Sequence, residues 1–381
     1  MSLVIDEHRR YLADRSRVRH YDRAVREVVR PGDVVVDLAS GTGILGLLAC
    51  RAGAARVYAI EADAIASLAA EIARANQFGD RLHVIHAHSS DARLPERADV
   101  VISDQIGRFG FEAGLLPLFA DARARFLKPG GRLIPSRVDL VVAPVEHRRQ
   151  FDRVAFWRRR PAGFDFGPVQ AIAANTGYPT RLAPGQLLSE PQSGVSLDLR
   201  ADAPSPLRID RTFAVGRPGT LDGIGGWFDA QLSPSVSITN SPRDPQRIMR
   251  RQAFFPIESP VAVGAGDRVE ISMRIRPDES MVSWDVTVHP AAGPSIRFTH
   301  STLKGMLLGK SDLRMTDPAC RPALTDRGVA RRSVLELCDG VRPLAAIEAE
   351  VLARHPGLFA SPSEAAVFVG EVVTRYTRDA S

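Results

Sequence analysis

Three acidic residues stand at the ends of short apolar runs: Asp37 in VVVDLASGTGILG, Glu61 in RVYAIEAD and Asp104 in ADVVISDQIG. Four residues beyond Asp37 comes Gly41-Thr42-Gly43-Ile44-Leu45-Gly46, the spacing of a loop whose backbone passes close to a ligand. A pyrophosphate cofactor would lie on the N-terminus of the helix that this loop opens. Asp37 argues against one, because a carboxylate repels a pyrophosphate and attracts a ligand bearing a sulfonium and an ammonium group. S-adenosylmethionine carries both cations, and Gly41 and Gly43 allow its methionine portion a close approach. Glu61 is placed to accept hydrogen bonds from two ribose hydroxyls and fits either cofactor.

Asp104 directly follows a fourth apolar run, and Glu112 lies eight residues on, with Gly107 and Gly110 between them. A turn through two glycines can bring the carboxylates together, where they would hold a nucleophile, orient its lone pair toward a methyl group and take up the released proton. The alternative is a capped loop-to-helix junction with Glu112 in solvent. Ser89, Ser90 and Asp91, after the third run, offer acceptors to an adenine amine; an ordinary capped turn would explain them too. His83, His86 and His88 alternate along one strand face, but no further ligand accompanies them and no metal is expected.

Positioning these groups requires strands that end on one edge. From Asp33 to about Leu140, short apolar runs alternate with segments of helical periodicity such as AIASLAAEIARANQF, which predicts a doubly wound, Rossmann-like α/β domain with a parallel sheet. Between about Val145 and Thr299 the runs become short and alternating, as in DRVEISMRI and VSWDVTV, and predict an antiparallel β-barrel or sandwich. From Thr325 the pattern is helical again. With 381 residues, 44% of them hydrophobic, the chain can fill more than one core. The expected domains are 1–143 for the cofactor, 144–305 for the barrel with an inserted, partly helical arm at about 151–188, and 306–381.

No run of about 18 apolar residues exists and the first ten residues are charged, so a cytoplasmic protein without membrane spans is expected. Cys50, Cys320 and Cys338 lack metal or disulfide spacing. The formal charge is +6, but the arginines are scattered rather than clustered with aromatics, which speaks against nucleic acid as a partner.

VVDLASGTGILGLLACRAGAARVYAIEAD, ISDQIGRFGFEAGLL and FLKPGGRLIPSRVDLVVAPVE together resemble the catalytic domain of protein arginine methyltransferases. The resemblance runs on through FWRRRPAGFDFGPV, similar to that family's dimerisation arm, and SITNSPRDPQRIMRRQAFF, similar to the barrel segment closing its active site. It implies an adenosylmethionine-binding domain followed by a β-barrel, assembled as a homodimer, with Arg9 clamping the cofactor carboxylate and Asp104 and Glu112 in the place of the family's paired glutamates. The departures are specific. The first acid is one methylene shorter, the intervening loop one residue shorter, Gln105 replaces an aromatic, Ala39 replaces the loop's first glycine, and the family's Thr-His-Trp falls on Arg247-Ile248-Met249. Cofactor use therefore transfers, whereas arginine as acceptor does not; another side-chain nitrogen, or an oxygen, remains open.

RRSVLELCDGVRPLAAIEAEVLAR followed by EAAVFVGEVV resembles small winged-helix, PqqD-like domains that bind leader peptides of ribosomally made natural products. The functional expectation is an adenosylmethionine-dependent methyltransferase acting on a peptide or protein, at nitrogen, with such a precursor peptide among the candidate substrates. The rivals are a small-molecule N- or O-methyltransferase, in which the last domain is a helical cap, and a scaffold that has kept the fold and lost turnover.

Overall fold

The computed structural model describes residues 4–307, 309, 314, 315 and 317–377. The chain divides into two compact units, Met1–Met306 and Leu307–Ser381. The first opens with helices α1 (Val4–Ala13) and α2 (Arg15–Val28). They are separated at Asp14, whose carboxylate accepts the backbone N–H of Arg17 at 3.1 Å and caps α2. One stripe of α2 is buried: Arg17, Tyr21, Ala24, Val25 and Val28.

The parallel sheet then forms from β1 (Val34–Leu38), β2 (Arg56–Glu61), β3 (Leu82–His86), β4 (Ala98–Ser103) and β5 (Leu127–Ile134), interleaved with α3 (Ile44–Arg51), α4 (Ile65–Ala75) and α5 (Leu115–Arg125). Its order is β3-β2-β1-β4-β5. The order reverses between β1 and β4, where Asp37 pairs in register with Ile102 and Leu38 with Ser103. A crevice opens at the carboxyl ends of strands at such a switch point, which is where the sequence had placed Asp37 and Asp104.

The segment GRLIPSRVDLVVAPV is divided between two sheets. Its first residues complete β5, and β6 (Arg137–Val145) pairs antiparallel with β10 and β8 in the next sheet. Pro135 cannot donate to a ladder and separates the two strands. The expected boundary at residue 143 thus falls inside a barrel-side strand. Helices α6 (Arg148–Ala155) and α7 (Gly167–Ala174) follow, and then β7 (Tyr178–Thr180), β8 (Gln192–Asp198), β9 (Leu207–Ala214), β10 (Gly219–Gln231), β11 (Ser237–Thr239), β12 (Gln252–Val263), β13 (Arg268–Arg276), β14 (Met281–His289) and β15 (Ile296–Ser301). One sheet runs β7-β12-β10-β6-β8 with β11 on β10, the other β15-β14-β13-β9, through antiparallel pairs. The expectation of two separate cores is not met, because one apolar cluster runs from Tyr21 and Val36 through Leu140 and Phe228 to Trp284.

The second unit contains α8 (Asp326–Leu337), α9 (Leu344–Arg354) and α10 (Pro362–Tyr376) around a core of its own that includes Val334, Val351 and Val369. Thr325 and Ser361 cap α8 and α10. Among its described residues there is no strand, so the hairpin that would make it a winged helix is not seen there. No helix of the described residues is long and apolar enough to cross a membrane.

Candidate active site

β1 delivers Asp37 to the crevice with its side chain wholly buried. Its Oδ2 accepts the N–H of Gly46 at 2.8 Å, and its Oδ1 has no hydrogen-bond partner. The Ser40 hydroxyl beside it is also unpartnered. Burial pushes the Asp37 carboxyl up to about 7. Gly41 sits at φ +56°, and a Cβ there would come within 2.7 Å of the His8 ring, so this turn needs glycine both for its conformation and for the approach of α1. Gly43 is the residue from which α3 starts, without a side-chain cap. Glu61 is buried at the end of β2. Its Oε2 accepts the N–H of Gly41 at 2.7 Å and its Oε1 that of Asp63 at 2.9 Å, so the loop and the strand end hold one another.

A cleft lies over this loop. α1 faces it through Glu7, His8, Tyr11 and Leu12, and Arg17, Asp104, Gln105 and Arg250 line its far end. There the Asp104 side chain, 10% exposed, sits between two guanidiniums. Arg17 donates Nε to its Oδ2, Arg250 donates Nη2 to the same oxygen at 2.8 Å, and Tyr21 donates its hydroxyl to Oδ1 at 3.0 Å. Burial raises the Asp104 carboxyl, but Arg17 and Arg250 outweigh burial and hold it below the ordinary carboxylate range. Arg250 also lies over the Phe228 ring, 5.9 Å from its centroid.

Glu112 does not form a hydrogen-bonded pair with Asp104. Its carboxylate folds back to accept the backbone N–H groups of Arg108, Phe109 and Phe111 in its own loop. A Cβ on Gly107, at φ +79°, would strike that carboxylate at 2.6 Å. Arg9 lies away from the cleft; its side chain is 65% exposed and paired with Asp6 at 2.7 Å. Ser89, Ser90 and Asp91 form a turn after β3 in which Asp91 N donates to His88 O at 3.0 Å, and none of them lines the cleft. Arg17, Tyr21 and Arg250 were not among the expected site residues. The first two were legible as polar members of the buried stripe of α2, while Arg250 stands in an arginine-rich segment with no distinguishing spacing. Of the Arg247-Ile248-Met249 segment, Ile248 is buried and Met249 is 63% exposed, its N–H bound to Asp14 Oδ2 at 2.6 Å.

Residues 136–289 match the family model of the arginine methyltransferase oligomerization subdomain, and residues 22–138 that of ribosomal protein L11 methyltransferase. Protein arginine N-methyltransferase 6 of Xenopus laevis is 30% identical over 246 residues, covering 61% of this chain and 72% of the relative. The chain belongs to the protein arginine methyltransferase family. With the family come the enzyme class, a methyltransferase, and its cofactor, S-adenosylmethionine. Probable protein arginine N-methyltransferase 6 of Arabidopsis thaliana is 35% identical over 240 residues, and the chain spans only 55% of that relative's length. Among solved structures, protein arginine methyltransferase 10 of Arabidopsis thaliana aligns at a TM-score of 0.67 and 26% identity, covering 77% of this chain and 97% of that one. The Trypanosoma brucei protein arginine methyltransferase 1 enzyme-prozyme complex, determined with AdoHcy, aligns at 0.71 and 20% identity over the same shares, which speaks for the fold alone.

Proposed function

We propose that the protein transfers a methyl group from S-adenosylmethionine to a side chain of a peptide or protein. The observation carrying this is the buried, unpartnered Oδ1 of Asp37 beside the Gly41–Gly43 turn, a group that a cationic ligand would satisfy. The residues present fit the cofactor. Asp37, ionised by a nearby cation, offsets its charge; Glu61 keeps lone pairs for hydroxyls; Arg17, not Arg9, is the arginine available to a carboxylate at the cleft. When bound, the cofactor supplies a methyl group on a sulfonium. The protein's own part is to hold that charge against Asp37 and to exclude water under α1. A nitrogen acceptor, expected from the sequence, would need Asp104 or Glu112 as its base, and both carboxylates are engaged within the protein.

Two further proposals rest on the same reading. The match over residues 136–289, with α6, α7 and the exposed Phe156 and Phe164 between β6 and β7, supports a homodimer in the cytoplasm. The C-terminal unit, with its own core, supports recruitment of a peptide such as a natural-product precursor, raising its effective concentration at the cleft.

Labelled methyl transfer from S-adenosylmethionine into size-fractionated lysate of the source organism tests the main reading, with Asp37→Asn as control. Label in peptide or protein fractions, lost in the variant, is the expected result. Label confined to small molecules would make the protein a metabolite methyltransferase, and cofactor binding without any transfer would make it a scaffold.

A further inference from the structure

The far end of the cleft already contains a guanidinium. Arg250 comes from the loop before β12 and binds Asp104 Oδ2 at 2.8 Å, while its Nη1 points to Gly107 O at 3.4 Å. Arg17 takes the same Asp104 oxygen through Nε, and Tyr21 takes the other at 3.0 Å. No bidentate face of Asp104 is left for an incoming arginine. Such an arginine would also bring a third positive charge beside one carboxylate, in a region where the Arg17 and Arg250 side chains are only 8% and 14% exposed.

The sign of the charge points the other way. Two guanidiniums against one carboxylate leave a net positive charge at the acceptor end. The other acids of the cleft lie elsewhere or are engaged: Glu61 holds the glycine loop, Asp63 follows it, and Glu7 accepts the Tyr11 hydroxyl at 3.1 Å. The site also lacks a free base, since Glu112 is bound to backbone N–H groups and Asp104 is held below the ordinary carboxylate range. An amine or guanidinium must lose a proton in the course of methylation, and a carboxylate has none to lose.

We infer that the acceptor is a carboxylate of a peptide or protein, drawn to the Arg250 guanidinium, and that the product is a methyl ester. This deepens the methyltransferase reading and rests on it. One carboxylate oxygen forms the new O–CH3 bond with a lone pair as the bond from the methyl carbon to the sulfonium sulfur breaks. The sulfur keeps the electron pair and becomes a neutral thioether, and no proton is released. Arg250 is the specificity-determining group and Arg17 the shared neighbour that fixes Asp104 beneath it.

The test uses the full chain, labelled S-adenosylmethionine and the peptide and protein fractions of the source lysate, followed by mild alkali. A methyl ester gives up its label as volatile methanol, whereas an N-methyl group keeps it. The expected result is that most of the label is released, and that amidating the carboxyl groups of the fractions beforehand prevents labelling. Mass spectrometry then assigns the ester to a side chain or a chain terminus, either of which supports the inference. Label that survives alkali overturns the inference and leaves the methyltransferase reading standing. No transfer, with cofactor binding measured by calorimetry, overturns both. On the peptide so identified, Arg250→Gln is expected to raise KM at least tenfold with a smaller change in kcat, and Arg250→Lys to restore part of the loss. Equal KM values for the wild type and both variants would remove Arg250 from acceptor recognition.

Discussion

At the cofactor end of the cleft, buried groups stand without partners; at the other end, every charged group has one. Asp37 keeps an empty oxygen and Ser40 an unpaired hydroxyl, while Asp104 is shared by Arg17, Arg250 and Tyr21 and Glu112 is folded into its own loop. Buried polar atoms normally find partners, so an exception marks where a ligand completes the structure. The first end is built around something that arrives from outside. The second has supplied itself with the charge that a relative's substrate would bring. A single fold can thus hold its cofactor site unchanged in principle while its acceptor site is rebuilt from the protein's own residues.

The sharpest way to break this contrast is Asp104→Ala, which leaves two guanidiniums facing each other with no carboxylate between them. A loss of about 3–5 kcal/mol of unfolding free energy is expected, as for one partner removed from a buried ionic group. Denaturant titration measures it, and a loss below about 1 kcal/mol would mean that the three charges do not hold this end together. Asp37→Asn probes the opposite end. Cofactor affinity should fall about a hundredfold, or roughly 2.7 kcal/mol, by calorimetry. The same variant alters pH dependence. The carboxyl is raised from 3.8 to about 7, so the folded chain holds this proton more tightly than the unfolded chain does. The associated stability is complete below about pH 4 and is lost as pH rises through 7, on the order of 4 kcal/mol in all. Thermal melts of the cofactor-free protein across that window should show the decline in the wild type and its absence in Asp37→Asn.

A smaller effect is expected from Glu112→Gln, which leaves one acceptor oxygen where the carboxylate had two to serve Arg108, Phe109 and Phe111. Stability should drop by about 1–2 kcal/mol with transfer reduced but present. Complete loss of transfer in a variant that melts normally would return Glu112 to the role of base. The smallest change is Ala39→Gly. Ala39 sits at φ 53°, a conformation that glycine adopts without strain, and a gain of up to about 1 kcal/mol in thermal stability is expected.

The cofactor end was legible in the sequence because its groups are fixed by strand ends and by a glycine loop, both local features. Asp37, Gly41 and Glu61 lie where the apolar runs put them. The arginine was misassigned because Arg9 and Arg17 occupy one basic stretch, and only the break at Asp14 decides which of them turns inward. The state of Asp104 and Glu112 was illegible for a different reason. Arg250 reaches Asp104 across 146 positions, and nothing local in either segment announces that pairing. The expected cofactor and barrel domains merged for a related reason, since β6 begins just past Pro135 and the periodicity of its residues is the same whichever sheet it joins.

Helix α1 lies against the glycine loop, with the His8 ring over Gly41, yet none of its ten residues is buried. A segment that buries so little opens at little free-energy cost, and its amides belong to the class that exchange with solvent first. Traffic into and out of the cleft is therefore paced by the part of the first unit that comes loose most easily. How long a small molecule stays bound is decided as much by the peeling of α1 as by the loop that grips it.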